Sequence, residues 1–75
     1  MFHTIEFFTD FVADLEVSRS KPLERVLIRR GSRVRAQLRP YVVETIHGPV
    51  EVADLFFEDG SCTRTVPFAC VSFVD

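Results

Sequence analysis

Apolar and polar residues are arranged in two different ways along this chain. Between Thr4 and Glu16 the spacing suits a helix. At about 100° per residue, Ile5, Phe7, Phe8, Phe11, Val12 and Leu15 fall in one continuous arc. Glu6, Asp10 and Asp14 gather on the opposite side, with Glu16 at the edge, and Thr4 has the side chain of an N-cap. The pattern predicts an N-terminal α-helix whose apolar arc is wide enough to cover a core and still touch a neighbouring subunit. From Arg33 to Arg39 the period is two. Val34, Ala36 and Leu38 share one face, and Arg33, Arg35, Gln37 and Arg39 the other, which reads as a strand.

Leu23 to Arg30 is open to two readings. Ser20 as cap, Pro22 in the first turn and Gly31 as a stop suit a short helix. The compact run Val26-Leu27-Ile28, with two β-branched residues, favours a strand. As a hairpin with the next strand, a three-residue loop Arg30-Gly31-Ser32 pairs Ile28 with Val34 and Val26 with Ala36. Arg25, Arg29, Arg33 and Arg35 then gather outside, whereas a loop one residue shorter mixes charge into the apolar face.

The second half predicts a meander. Tyr41 to Ile46 extends or bends the second strand past Pro40, His47-Gly48-Pro49 turns, and Val50 to Phe57 runs back. Asp59-Gly60 between apolar segments predicts a tight type I′ hairpin with Gly60 at positive φ. Cys62 to Val66 returns, Pro67-Phe68-Ala69 makes a corner, and Cys70 to Val74 closes the chain. Apolar parity changes between Val50, Val52 and Leu55, Phe57, which predicts a bulge or sharp bend near Ala53-Asp54.

The order of elements resembles the Sm-like proteins, including their bacterial Hfq branch, within the SH3-like small barrels. Val26 to Leu38, with Gly31 between strands, resembles the first two strands of that family. Val66 to Val74 resembles its closing pair. The resemblance implies a mainly β fold: an N-terminal α-helix over 1–16, then a five-stranded, strongly bent antiparallel barrel over 23–75, in one domain. Three departures mark the chain. Ala36 stands where the family often has a second glycine, the base-holding Asp and Asn have no counterpart around Arg39-Pro40-Tyr41, and Phe68-Ala69-Cys70 replaces its basic closing corner.

Composition changes the picture mainly through charge. Eight of nine basic residues lie between Arg19 and Arg39, so a net charge of -2 hides a basic middle between two acidic ends. Alternate strand residues are spaced about 6.6 to 7 Å apart, near the phosphate spacing of a nucleic acid strand. Arg25, Arg29, Arg33, Arg35 and Arg39, with Tyr41 for base stacking, are therefore the candidate RNA- or polyanion-binding residues. The competing reading pairs these arginines with Glu6, Asp10 or Asp14, in the same or a neighbouring subunit.

A chain of 75 residues buries only about 60% of the surface its unfolded form exposes, so it gains from assembly. A homo-oligomer is expected, with Phe7, Phe11 and Phe56 as candidate interface residues, since Phe56 and Phe57 face opposite ways on a strand. Cys62 and Cys70 suit two reduced, packed thiols, and the first residues lack the basic start and apolar run of a secretion signal, so a cytoplasmic protein is expected. No apolar run suits a membrane span. His3, His47, Cys62 and Cys70 lack metal-ligand spacing, and no serine sits in a nucleophile elbow. No metal, cofactor or enzymatic activity is expected. Two functions fit: an Sm-like assembly module with RNA-binding capacity, or a protein-interaction module with no nucleic-acid role.

Overall fold

The computed structural model describes all residues from Met1 to Asp75. The chain is built from strands, and the first correction concerns residues 4–16, which form no helix. They make two strands, β1 (His3–Phe7) and β2 (Phe11–Leu15). Five more follow: β3 (Glu24–Ile28), β4 (Arg33–Thr45), β5 (Gly48–Phe57), β6 (Cys62–Pro67) and β7 (Val71–Phe73), with a 3-10 turn at Phe68–Cys70 before the last. There are two open antiparallel sheets in place of one five-stranded barrel. One has the order β6-β5-β4-β1-β7 and the other is the pair β2-β3. No helix is long and apolar enough to cross a membrane.

The first four strands are two halves of one bent hairpin. Ile5 lies opposite Val34 and Glu6 opposite Arg33; Phe11 lies opposite Ile28 and Leu15 opposite Glu24. These pairs share a single register, interrupted only where Phe8–Asp10 meets Arg29–Gly31. At that bend Asp10 accepts the Arg30 N–H at 2.7 Å, Gly31 donates to the Phe7 carbonyl at 2.8 Å, and Phe7 donates to Ser32 at 3.0 Å. Gly31 turns there at φ +85°, a region where a side chain is strained. The expected pairing of Val26 with Ala36 and Ile28 with Val34 is thus replaced. β3 pairs with β2, and the start of β4 pairs with β1.

Strand geometry explains what the helical arc had grouped. Ile5, Phe7, Phe11, Ala13 and Leu15 are all odd-numbered and face inward, whereas Phe8 and Val12 lie on the outer face and are exposed. The core is Ile5, Phe7, Ala36, Ala53, Leu55, Val66 and Val71, with Phe11, Ile28, Val34, Leu38, Phe57 and Phe68 packed around it. Backbone pairing of Glu16 with Cys62, at 2.8 and 3.1 Å, joins the small sheet to β6.

β4, β5 and β6 follow the expected meander, but the closing strand β7 leaves it to pair with β1. β4 runs unbroken through Pro40, and the β4–β5 turn is Ile46-His47, followed by Gly48 at φ +102°. Gly60 has φ +89°, but the turn is not type I′. Gly60 donates to Phe57 and Phe57 to Ser61, and Glu58 and Asp59 keep negative φ, which is a type I turn with the glycine in the bulge position. The irregularity near Asp54 is present, with the extra residue on the partner strand. Ala53 opposes Val66 and Leu55 opposes Thr63, so Arg64 and Thr65 together face Asp54.

Candidate functional site

The sorted charges meet across the bent hairpin. Arg33 bonds Glu6 at 2.9 Å and Arg25 bonds Asp14 at 3.2 Å, each directly opposite its partner. Arg35 reaches the Thr4 hydroxyl at 3.1 Å, Glu58 at 3.7 Å and Asp75 at 3.8 Å. The acidic first segment therefore lies along the basic middle one. Such exposed pairs are worth about 0.2–1 kcal/mol each, but they occupy the guanidinium groups that a polyanion would need. Arg29 and Arg39 have no ion-pair partner in the chain, and they stand apart, Arg39 on β4 and Arg29 just past the end of β3. The six candidate residues do not form one continuous phosphate track. Arg25 and Arg29 belong to the two-stranded sheet side, and Arg33, Arg35, Arg39 and Tyr41 to β4.

Tyr41 belongs to a polar cluster centred on a buried Asp54, which is only 6% exposed. The Tyr41 hydroxyl donates to Asp54 Oδ1 at 2.8 Å and lies 2.8 Å from the Thr65 hydroxyl. The Thr65 N–H donates to the same oxygen at 3.0 Å, and Arg64 donates to Oδ2 at 3.2 Å. Burial pushes the Asp54 carboxyl up. The Thr65 N–H, the Tyr41 hydroxyl and Arg64 outweigh burial and hold it below the ordinary carboxylate value. Thr65 sits at φ +59°, the one residue other than glycine in the left-handed region. The bulge turns its N–H onto Asp54, which repays that conformation.

Arg64 also lies 3.6 Å from Glu16, whose carboxylate is 3.8 Å from the Cys62 sulfur. Burial first, and Glu16 next, raise the Cys62 thiol above its ordinary value, which makes it a poor nucleophile. No group of three or more His, Cys, Asp or Glu side chains converges on a point. The Asp54 cluster is thus a structural tie between β4, β5 and β6. Sequence reasoning missed it, although the parity change at Ala53-Asp54 marked its place.

Strand surface without a partner lies beyond this tie. β6 pairs with β5 only as far as Val52, and β1 pairs with β4 only through Ala36. The rest of β4 and β5 projects as a two-stranded ribbon whose outer edges carry no partner. Val42, Ile46 and Val50 on it are exposed, Ile46 by 96%. Pro40, Tyr41, Val42, Glu51 and Phe68 line an open cleft beside it. Glu44 and Glu51 have no ion-pair partner. Of the expected interface residues, Phe7 is fully buried in the core, so it presents no surface to a neighbour. Phe11 packs on Phe7 at 6.0 Å between ring centroids, and Phe56 is half-buried opposite Gln37 and Cys62. The exposed phenylalanines are Phe8 and Phe73.

No protein-family model, curated protein or solved structure matches the chain, so nothing in these comparisons identifies an Sm-like or SH3-like family.

Proposed function

We propose that this chain is a non-enzymatic protein-interaction module whose acting surface is the β4–β5 ribbon. The observation that carries this reading is the ribbon itself: two strands with open edges, three exposed aliphatic side chains and two unpaired carboxylates. Open edges of this kind invite pairing with another strand, and exposed apolar side chains rimmed by polar ones suit a protein partner. The nucleic-acid reading draws less support, because Arg25, Arg33 and Arg35 are already engaged by acids of the same chain. A photoreactive amino acid placed at Ile46, and separately at Arg33, tests the choice in living cells. Adducts at Ile46 that resist nuclease and yield to protease are the expected result. Nuclease-sensitive adducts at Arg33, with none at Ile46, overturn the reading.

A further inference from the structure

The fold leaves a second open strand edge, and it complements the first. β3 pairs only with β2, so the outer side of Glu24–Ile28 is free. Leu27 on that strand is 47% exposed, and Val26 and Ile28 are only partly covered. On one face β3 and the residue after it read Arg25, Leu27, Arg29. On one face the ribbon edge reads Pro40, Val42, Glu44, with Glu51 directly across from Val42. The β3 edge has an arginine on each side of its apolar centre, and the ribbon places Glu44 beside Val42 and Glu51 across from it. Such complementarity fixes register as well as partner choice.

We infer that β3 of one copy pairs antiparallel with the β4 edge of a second copy, Leu27 lying opposite Val42. This rests on the protein-interaction reading above and names the partner as another molecule of the same chain. Hydrogen-bond direction agrees with the register. Phe7 bonds Ser32, so the even-numbered residues of β4 aim their amides and carbonyls at β1 and, past Ala36, off the open edge. Glu16 bonds Cys62, so the even-numbered residues of β2 face β6, and Arg25, Leu27 and Arg29 are left facing outward from β3. Leu27 and Val42 therefore meet as a bonded pair.

In that register Arg25, already three-quarters exposed beside Asp14, stands opposite Glu44. Val26 meets Val43 and Ile28 meets Tyr41, half-covered residues against half-covered ones. Arg29 falls opposite Pro40, which has no N–H to give and ends the ladder. A slip of two residues in either direction breaks the match, because Leu27 then faces Glu44 or Arg25 faces Val42. The contact is head-to-tail: each copy offers β3 to one neighbour and β4 to the other, so assembly continues until a ring closes or a filament grows.

The experiment uses light scattering over micromolar to near-millimolar concentrations, with Leu27→Glu and Val42→Glu variants. Both sites are exposed, and thermal melts check that each variant keeps the wild-type fold. Wild-type mass is expected to rise with concentration, while each variant stays at the 8.6 kDa of one chain. Mixing the two in equal amounts restores one good edge of each kind and is expected to give twice that mass and no more. A wild type that stays monomeric, a variant that assembles like wild type, or a mixture that stays at one chain overturns the inference. Hydrogen exchange supplies a measurement without substitutions: protection of the Leu27 and Val42 amides should grow with wild-type concentration, and its absence overturns the inference too. A monomeric wild type that still gives protein adducts at Ile46 leaves the interaction reading standing and removes only the self-pairing.

Discussion

Removing the carboxylate of Asp54 tests the central tie of this fold. Asp54 Oδ1 accepts two hydrogen bonds, from Tyr41 and from the Thr65 N–H, and Oδ2 accepts one from Arg64. Asp54→Asn keeps an oxygen at the first position and presents an amide to Arg64. The two inner bonds survive and the charge-assisted one is lost. Because Arg64 is more than half exposed, that loss is expected at only about 1 kcal/mol. Asp54→Ala removes both acceptor oxygens, and with them all three bonds, and leaves the Thr65 N–H without that partner, at about 3 kcal/mol. For a domain of this size each kcal/mol moves the melting temperature by about 4–8 °C. The alanine variant should therefore melt well below the asparagine variant, and both below wild type. Thermal melts followed by circular dichroism read this directly. Equal melting temperatures for the two variants, or an alanine variant that melts with wild type, would refute the assignment of Asp54 as a buried acceptor.

The same geometry gives an acid limit. The Asp54 carboxyl is held below the ordinary carboxylate value in the folded chain, so its contribution is fully present above that ordinary value and is lost as pH falls through the lower folded one; Asp54→Asn should flatten that part of the stability curve. Tyr41→Phe removes the hydroxyl that donates to Asp54 and contacts the Thr65 hydroxyl, and should cost about 1 kcal/mol, measured by urea unfolding. Gly60→Ala meets no atom within 4 Å, so its expected loss of about 1 kcal/mol is purely conformational, and an unchanged denaturation midpoint would count against the left-handed position. A double-mutant cycle on Glu6 and Arg33 should return a coupling below about 1 kcal/mol that shrinks in salt.

The meander from Tyr41 onward was legible because its punctuation is local: Asp59-Gly60, the glycine at 48 and the Pro67 corner each act within a few residues. The first segment was not. Phe8 and Val12 are apolar but face outward, and they fill in the arc that odd-numbered alternation alone would have left broken. Phe, Thr, Val and Ile over residues 4–12 suit a strand, a signal that the helical period alone does not register. Charge sorting offered the acids of the first segment as one set of partners for Arg25 and Arg33. It did not say that the partners lie directly across a bent hairpin, because register depends on the bend at Asp10 and Gly31. The Asp54 cluster depends on a bulge residue with positive φ, and nothing about threonine announces that.

β1 has a consequence in time as well as in space. It lies between β4 and β7, pairing Ile5 with Val34 on one side and with Phe73 on the other. β1, made before β7, thus becomes an inner strand only when β7 arrives. Until then its edge and the Phe7 side of the core stay open to other chains, and pairings so distant in sequence form slowly. A nascent or truncated chain lacking residues 71–75 should hold the bent hairpin and the β4–β5 ribbon while remaining prone to aggregate along β1.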